Sequence, residues 1–192
     1  MLSTKLIFLA ALCSAAGQDR KLWPKPEIMV APAYPNSARA REIVATITVI
    51  ASVDQDGNVI GANATNGPCR YSSPSPTPQA SPCDFAREAA THHALAERFR
   101  NEALDMKLSD LERKAKFKQF DTEDWLAAQL DLYAAAEHAT RQWLFQWVPR
   151  AKSPAIQYVP LTFRFSKGDV ATIQVIDSWT INVVAATYPA GD

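Results

Sequence analysis

Residues 42–53 read EIVATITVIASV. Ile43, Ala45, Ile47, Val49, Ala51 and Val53 occupy every second position, with Thr46, Thr48 and Ser52 between them. A helix scatters residues at that spacing around its axis, whereas the pleat of a strand lines them on one face. The run therefore predicts a strand with one buried side. Asp54-Gln55-Asp56-Gly57-Asn58 follows at once, and Gly57 can take the positive φ that a tight turn requires. NVIGANAT returns as a second strand, so the segment reads as a hairpin. Asp54, Asp56 and Asn58 also resemble the start of a calcium loop, but the glycine comes too early and no later glutamate completes it.

The segment before the hairpin, KLWPKPEIMVAPAYP, holds four prolines. Proline lacks the N–H that a helix interior or central strand uses, so this stretch is an extended lead-in over 18–33. From Pro35, PNSARARE can form about one helical turn, with proline tolerated at its start.

After the hairpin comes a loop rich in Pro and Ser, then helical periodicity. Phe85, Ala89, His92, Ala96, Phe99, Ala103 and Met106 recur at spacings of three and four, the stripe of an amphipathic helix. Ser109 with Glu112 forms a capping-box pattern that predicts a second, shorter helix. Asp121 with Asp124 predicts a third, carrying Leu126, Leu130, Tyr133, Thr140, Leu144 and Trp147 on one side and stopped by Pro149. The chain then returns to strand. In YVPLTFRF, Val159, Leu161, Phe163 and Phe165 alternate with Tyr158, Pro160, Thr162 and Arg164. Pro160 cannot donate to a ladder, which predicts a sheet edge there, at least locally. DVATIQVIDSWTINVV supplies one more strand, or two short ones. The order of elements predicts an α+β fold: an antiparallel sheet of three to four strands with helices on one face, plus a helical insertion near 68–128.

The first residues, MLSTKLIFLAALCSAAGQDR, read as a secretory signal over 1–17: Lys5, an apolar run from Leu6 to about Ala16, then small residues. An uncleaved anchor is the alternative, but the run is short of the ~20 residues a spanning helix needs. A lipid anchor at Cys13 is disfavoured by the bulky Leu12 before it. The expected compartment is the periplasm, with no membrane span once the signal is removed. Cys69 and Cys83 then remain, and an isolated pair in an oxidising compartment reads as a disulfide. It would close a loop of roughly 15 residues and contribute about 3 kcal/mol on the chain-entropy account. A metal or redox pair is less favoured, because there is no C-x-x-C and no other Cys or His at ligand spacing.

Lys plus Arg and Asp plus Glu balance at 20 each, which gives no basis for nucleic-acid binding. His92 and His93 are neighbours, so on a helix they point about 100° apart and cannot share one metal. His138 has no sequence partner. Arg113, Lys114, Lys116 and Lys118, with Asp110 and Glu112 nearby, read as a solvated helix face. Trp143, Phe145 and Trp147 could form a binding platform, with core packing the default. No nucleophile elbow, phosphate loop or paired catalytic constellation occurs. No catalytic residue, cofactor or metal is expected, and the chain does not read as an enzyme.

APAYPNSARA, ATITVIASVDQDGNVIGA, AAEHATRQWLF and VPLTFRF, in that order, resemble the C-terminal domain of TonB-type energy transducers. The motifs span roughly residues 32–66 and 133–166. The resemblance implies that Tyr34-Pro35 and the Ala38-Arg39 turn pack back on the sheet. It implies a partner segment, from an outer-membrane receptor or another envelope protein, that adds as an extra strand. Its docking site here would be Tyr34, Pro35 and the strand Val159, Pro160, Leu161, Thr162, Phe163, Arg164 and Phe165. A complete transducer also has a membrane helix and a long spacer. KLWPKPEIMVAP, at ~3.1 Å per residue, cannot span a periplasm, so the chain is expected to bind without transmitting force. Three rivals remain open. Residues 169–184 could occupy the same edge in cis, the helical insert could itself be the interface of a structural or assembly protein, or the aromatics could line a small-ligand pocket between insert and sheet.

Overall fold

The computed structural model describes residues 24–65, 67–68, 83–147 and 155–186. The proposed signal and Cys69 lie outside them. In chain order the elements are β1 (Lys25–Ile28), α1 (Asn36–Ala40), β2 (Ala45–Asp54), β3 (Val59–Ala64), α2 (Phe85–Ala103), α3 (Asp110–Thr140), β4 (Leu144–Gln146), β5 (Ile156–Gly168), β6 (Thr172–Asp177) and β7 (Thr180–Ala186).

The fold is α+β, but the sheet is larger than the sequence reading and is mixed. Five strands lie in the order β3-β2-β5-β7-β6, and β1 with β4 makes a separate two-stranded sheet. β2 pairs with β3 and with β5 antiparallel, whereas β5 and β7 run parallel. The parallel pair arises because β7, after the turn at Asp177–Trp179, doubles back into the gap between β5 and β6.

The predicted hairpin is present. Ile47, Val49, Ala51 and Val53 are fully buried. On β5, Val159, Leu161, Phe163 and Phe165 point to the same face, with Val49 opposite Leu161 and Ile47 opposite Phe163. Such cross-strand pairs are the unit of sheet stabilisation. At the turn, Asp54 Oδ1 accepts from Asn58 N–H (2.8 Å) and Asp56 N–H (3.0 Å), and Gly57 has φ +88°. Those three residues serve the turn.

The helices cover the apolar face. α2 begins at Asp84, whose carboxylate accepts the Arg87 N–H (3.1 Å). α2 buries Phe85, Ala89, Ala96 and Ala103, whereas Met106 lies past its end and is 91 % exposed. The Ser109/Glu112 capping box starts α3 as expected, but no third helix begins at Asp121. Those acids reach across to α1: Arg41 Nε donates to Asp124 Oδ2 (2.6 Å) and its guanidinium lies 3.3 Å from Asp121. α3 therefore runs unbroken for 31 residues, and its second half, with Leu130, Leu132, Tyr133 and Ala136, belongs to the core.

α3 ends at Thr140, so Leu144 and Trp147 are not helical. Leu144–Gln146 is a strand paired with the lead-in, with Phe145 opposite Pro26. The lead-in is thus extended, as its prolines dictate, and among the described residues β1 pairs with β4 alone. Trp143 and Phe145 are buried, and Trp147 Nε1 donates to the Asp54 carbonyl (2.6 Å). These aromatics are packed rather than displayed.

Candidate partner-binding edge

The strand expected to be the docking edge lies in the middle of the sheet. β5 pairs with β2 from Ile156 to Phe165 and with β7 from Thr162 to Gly168. Thr162, Phe163, Arg164 and Phe165 are therefore flanked on both sides. The edge assignment is corrected for them, and the cis-pairing rival describes this half of the strand.

Val159, Pro160 and Leu161 lie beyond the end of β7, and among the described residues no strand pairs with them on that side. Pro160 fits this geometry. Thr162 N–H donates to the Trp179 carbonyl (2.7 Å), towards β7. Alternate residues direct their N–H the same way, so the group that Pro160 lacks would face the same side, past the start of β7. The ladder to β2 loses nothing. Proline here reports a local edge, not an edge strand.

The residues beside it also pack. Tyr34 donates its hydroxyl to the Ile43 carbonyl and meets Phe165 edge-on at 5.5 Å. Burial raises its pKa above the ordinary tyrosine value. Pro35 occupies the cap position of α1, and Ala38 is fully buried. Tyr34 thus braces β5 from the lead-in side, while Pro35 starts α1.

The outer strands are β3 and β6, and they differ. The β3 edge is closed by α3. Glu137, 5 % exposed, accepts the Ala64 N–H (2.9 Å). Arg141 donates to the Ala62 carbonyl (3.3 Å) and lies 3.3 Å from Glu137. Two side chains thus stand in for part of a neighbouring strand. Burial of Glu137 raises its pKa, against the lowering by the Ala64 N–H and Arg141. Folded protein then holds this proton more tightly than unfolded chain, so stability falls as pH rises from the ordinary carboxylate range through the raised value. Glu137→Gln keeps an acceptor for Ala64 without the buried charge. Its urea midpoint is expected to change less than that of the wild type between about pH 4 and about pH 8, moving above it at the alkaline end.

β6 is open. All six of its residues are exposed, Ile173 at 61 % and Val175 at 53 %. They stand opposite Val183 and Ile181 of β7, which are buried. Ile173 and Val175 therefore continue the apolar face of the sheet past the reach of the helices. Val170 and Ile176 are exposed nearby, and no charged residue lies between Asp169 and Asp177. Edge strands ordinarily carry charge, proline or a bulge that blocks pairing. β6 has one charge, Asp177 at its end, and a register shift between Val175 and Asp177, and its other five residues are uncharged. Alternation predicts a strand here but not its exposure, and the uncharged run is the one sequence signal that bears on it.

The remaining candidates resolve into structural contacts. His92 Nδ1 contacts Glu123, and His93 Nε2 contacts Asp131 (2.9 Å), which also accepts from Ser37. The two histidines go to different carboxylates. His138 lies in the last turn of α3, beside an open cleft of ≈ 500 Å³ whose Glu137 and Arg141 are already engaged with β3. Among the described residues no group of three His, Cys, Asp or Glu could hold a metal. Cys83 is buried and disulfide-bonded, with Cys69 proposed as its partner. No helix among the described residues is long and apolar enough to cross a membrane. Comparisons with protein-family models, curated proteins and solved structures find no match.

Proposed function

We propose that this chain is a non-enzymatic binding module of the periplasm that captures an extended segment of an envelope protein by strand addition, with β6 as the docking edge. The observation that supports this reading is an outermost strand exposed along its whole length, whose apolar side chains continue the core face. Main-chain groups on the free side of such a strand give affinity, and the pockets between alternate side chains give selectivity. The TonB-like order of motifs supports the same mode. Val159–Leu161, at the uncovered end of β5, is a lesser edge shortened by Pro160.

A second reading, an assembly protein that docks through its helices, is favoured by one feature. The turn between α2 and α3, with the first turn of α3, displays Leu104, Met106 and Leu111, at 63 %, 91 % and 79 % exposure.

One co-purification from the envelope fraction separates the two. Ile173→Lys with Val175→Lys alters the strand, and Leu104→Ser with Met106→Ser and Leu111→Ser alters the turn. All five positions are exposed, so both variants are expected to fold. Strand addition predicts that the first variant loses the partner and the second keeps it. The opposite pattern supports the helical reading, and retention by both overturns strand addition at β6.

A further inference from the structure

The edge reading, on which this inference rests, leaves open what occupies β6 when no other protein is bound. We infer that a second copy of the chain does, through an antiparallel, two-fold pairing of β6 with itself centred on Gln174.

The sequence of β6 is complementary to its own reverse in that register. Paired residues in a sheet place their side chains on the same face. Centring the two-fold on Gln174 sets Ile173 against the partner's Val175, and Val175 against the partner's Ile173. Both contacts fall on the face where β7 presents buried Ile181 and Val183. Gln174 then meets its own copy, Thr172 meets Ile176, and Asp177 meets the uncharged Ala171. Neighbouring registers are worse. Centring on Val175 sets Asp177 against Ile173, and centring on Ile173 sets Asp177 against Asp169. Like charges placed opposite each other are unfavourable. Charge and apolar pattern therefore select the register that pairs residues 171–177 about Gln174.

The contact is short, since the register shift after Val175 interrupts the strand. The dimer is accordingly weak and exchangeable, in the micromolar range typical of small interfaces. Self-pairing hides an edge that would otherwise recruit any extended chain. A captured segment must displace the second copy, so partner binding and dimerisation compete for the same main-chain groups.

The test uses the chain from residue 18 onward, in sedimentation and in disulfide trapping. The wild type is expected to pass from monomer to dimer with concentration, and Val175→Lys to raise the dissociation constant about tenfold or more. Gln174→Cys should form a disulfide-linked dimer on mild oxidation, because residues directly opposite lie about 4.5–5.5 Å apart at Cα, within disulfide reach. Thr172→Cys should not, because its own copy is displaced by about 14 Å along the strand. A mixture of Ile173→Cys and Val175→Cys chains, both before the register shift, should cross-link. A monomer at all concentrations, or equal trapping at 172 and 174, overturns the inference. Hydrogen exchange of the β6 amides then separates it from the reading beneath. Fast exchange in that monomer overturns self-pairing alone, whereas full protection in the monomer overturns strand addition as well.

Discussion

Trp143→Ala is expected to lower the unfolding free energy by about 4 kcal/mol. The indole is 3 % exposed. It meets Phe163 edge-on at 6.1 Å and is tilted against Phe145 at 5.9 Å. Its Nε1 donates to the Val30 carbonyl at 2.8 Å. Truncation removes a large apolar surface, leaves a cavity beneath β5 and takes away the donor that Val30 uses. Since domains of this kind are stable by only about 5–15 kcal/mol in total, the loss is a large fraction. Urea unfolding should show a lower midpoint with an unchanged slope. Trp143→Phe, which refills most of the space, should cost about 1–2 kcal/mol, mainly through the missing hydrogen bond. A loss below about 1 kcal/mol for the alanine variant would mean that this aromatic belongs to a surface platform after all.

Gly57→Ala is the second large effect, about 3 kcal/mol of destabilisation. Gly57 has φ +88°, where a side chain costs roughly 1–2 kcal/mol. The second contribution comes from outside the hairpin. A Cβ at this position would lie 1.8 Å from the Phe145 carbonyl oxygen, which belongs to the backbone of β4. Phe145 N–H donates to the Gly57 carbonyl at 2.9 Å, so the turn and β4 are clasped main chain to main chain. The two causes are separable. Asparagine tolerates positive φ better than alanine but carries the same Cβ. Gly57→Asn should therefore be nearly as damaging. Near-native stability of that variant would show that only the turn's φ matters and that β4 does not approach so closely.

Much of the scaffold was legible because its signals are local. The alternation from Ile43 to Val53, the Asp-Gly turn and the Ser109/Glu112 box each depend on residues a few positions apart. The failures share the opposite cause. Asp121 and Asp124 look like helix starts, yet Arg41 claims them from far away in sequence. Leu144 continues a helical spacing by coincidence, and pairing with the lead-in makes it a strand. Pro160 does mark missing neighbours, but which half of β5 lacks them depends on where β7 begins. Openness is the hardest property of all to read. Ile173 and Val175 alternate just as Val49 and Ala51 do, and periodicity reports an apolar face without reporting whether anything covers it. Glu42 shows the same limit for the backbone. It is the one non-glycine residue with positive φ among those described, at +51°, and nothing in its chemistry announces that.

The threading of β7 between β5 and β6 has a consequence for how this protein comes to exist. β7 follows both of its neighbours in the chain yet lies between them, contributing buried Ile181 and Val183, so Thr162–Gly168 lacks its second neighbour until β7 has threaded into place. Removing Thr180–Ala186 would excise a piece of the middle rather than trim a fringe, and would leave β6 without the strand that joins it to the sheet.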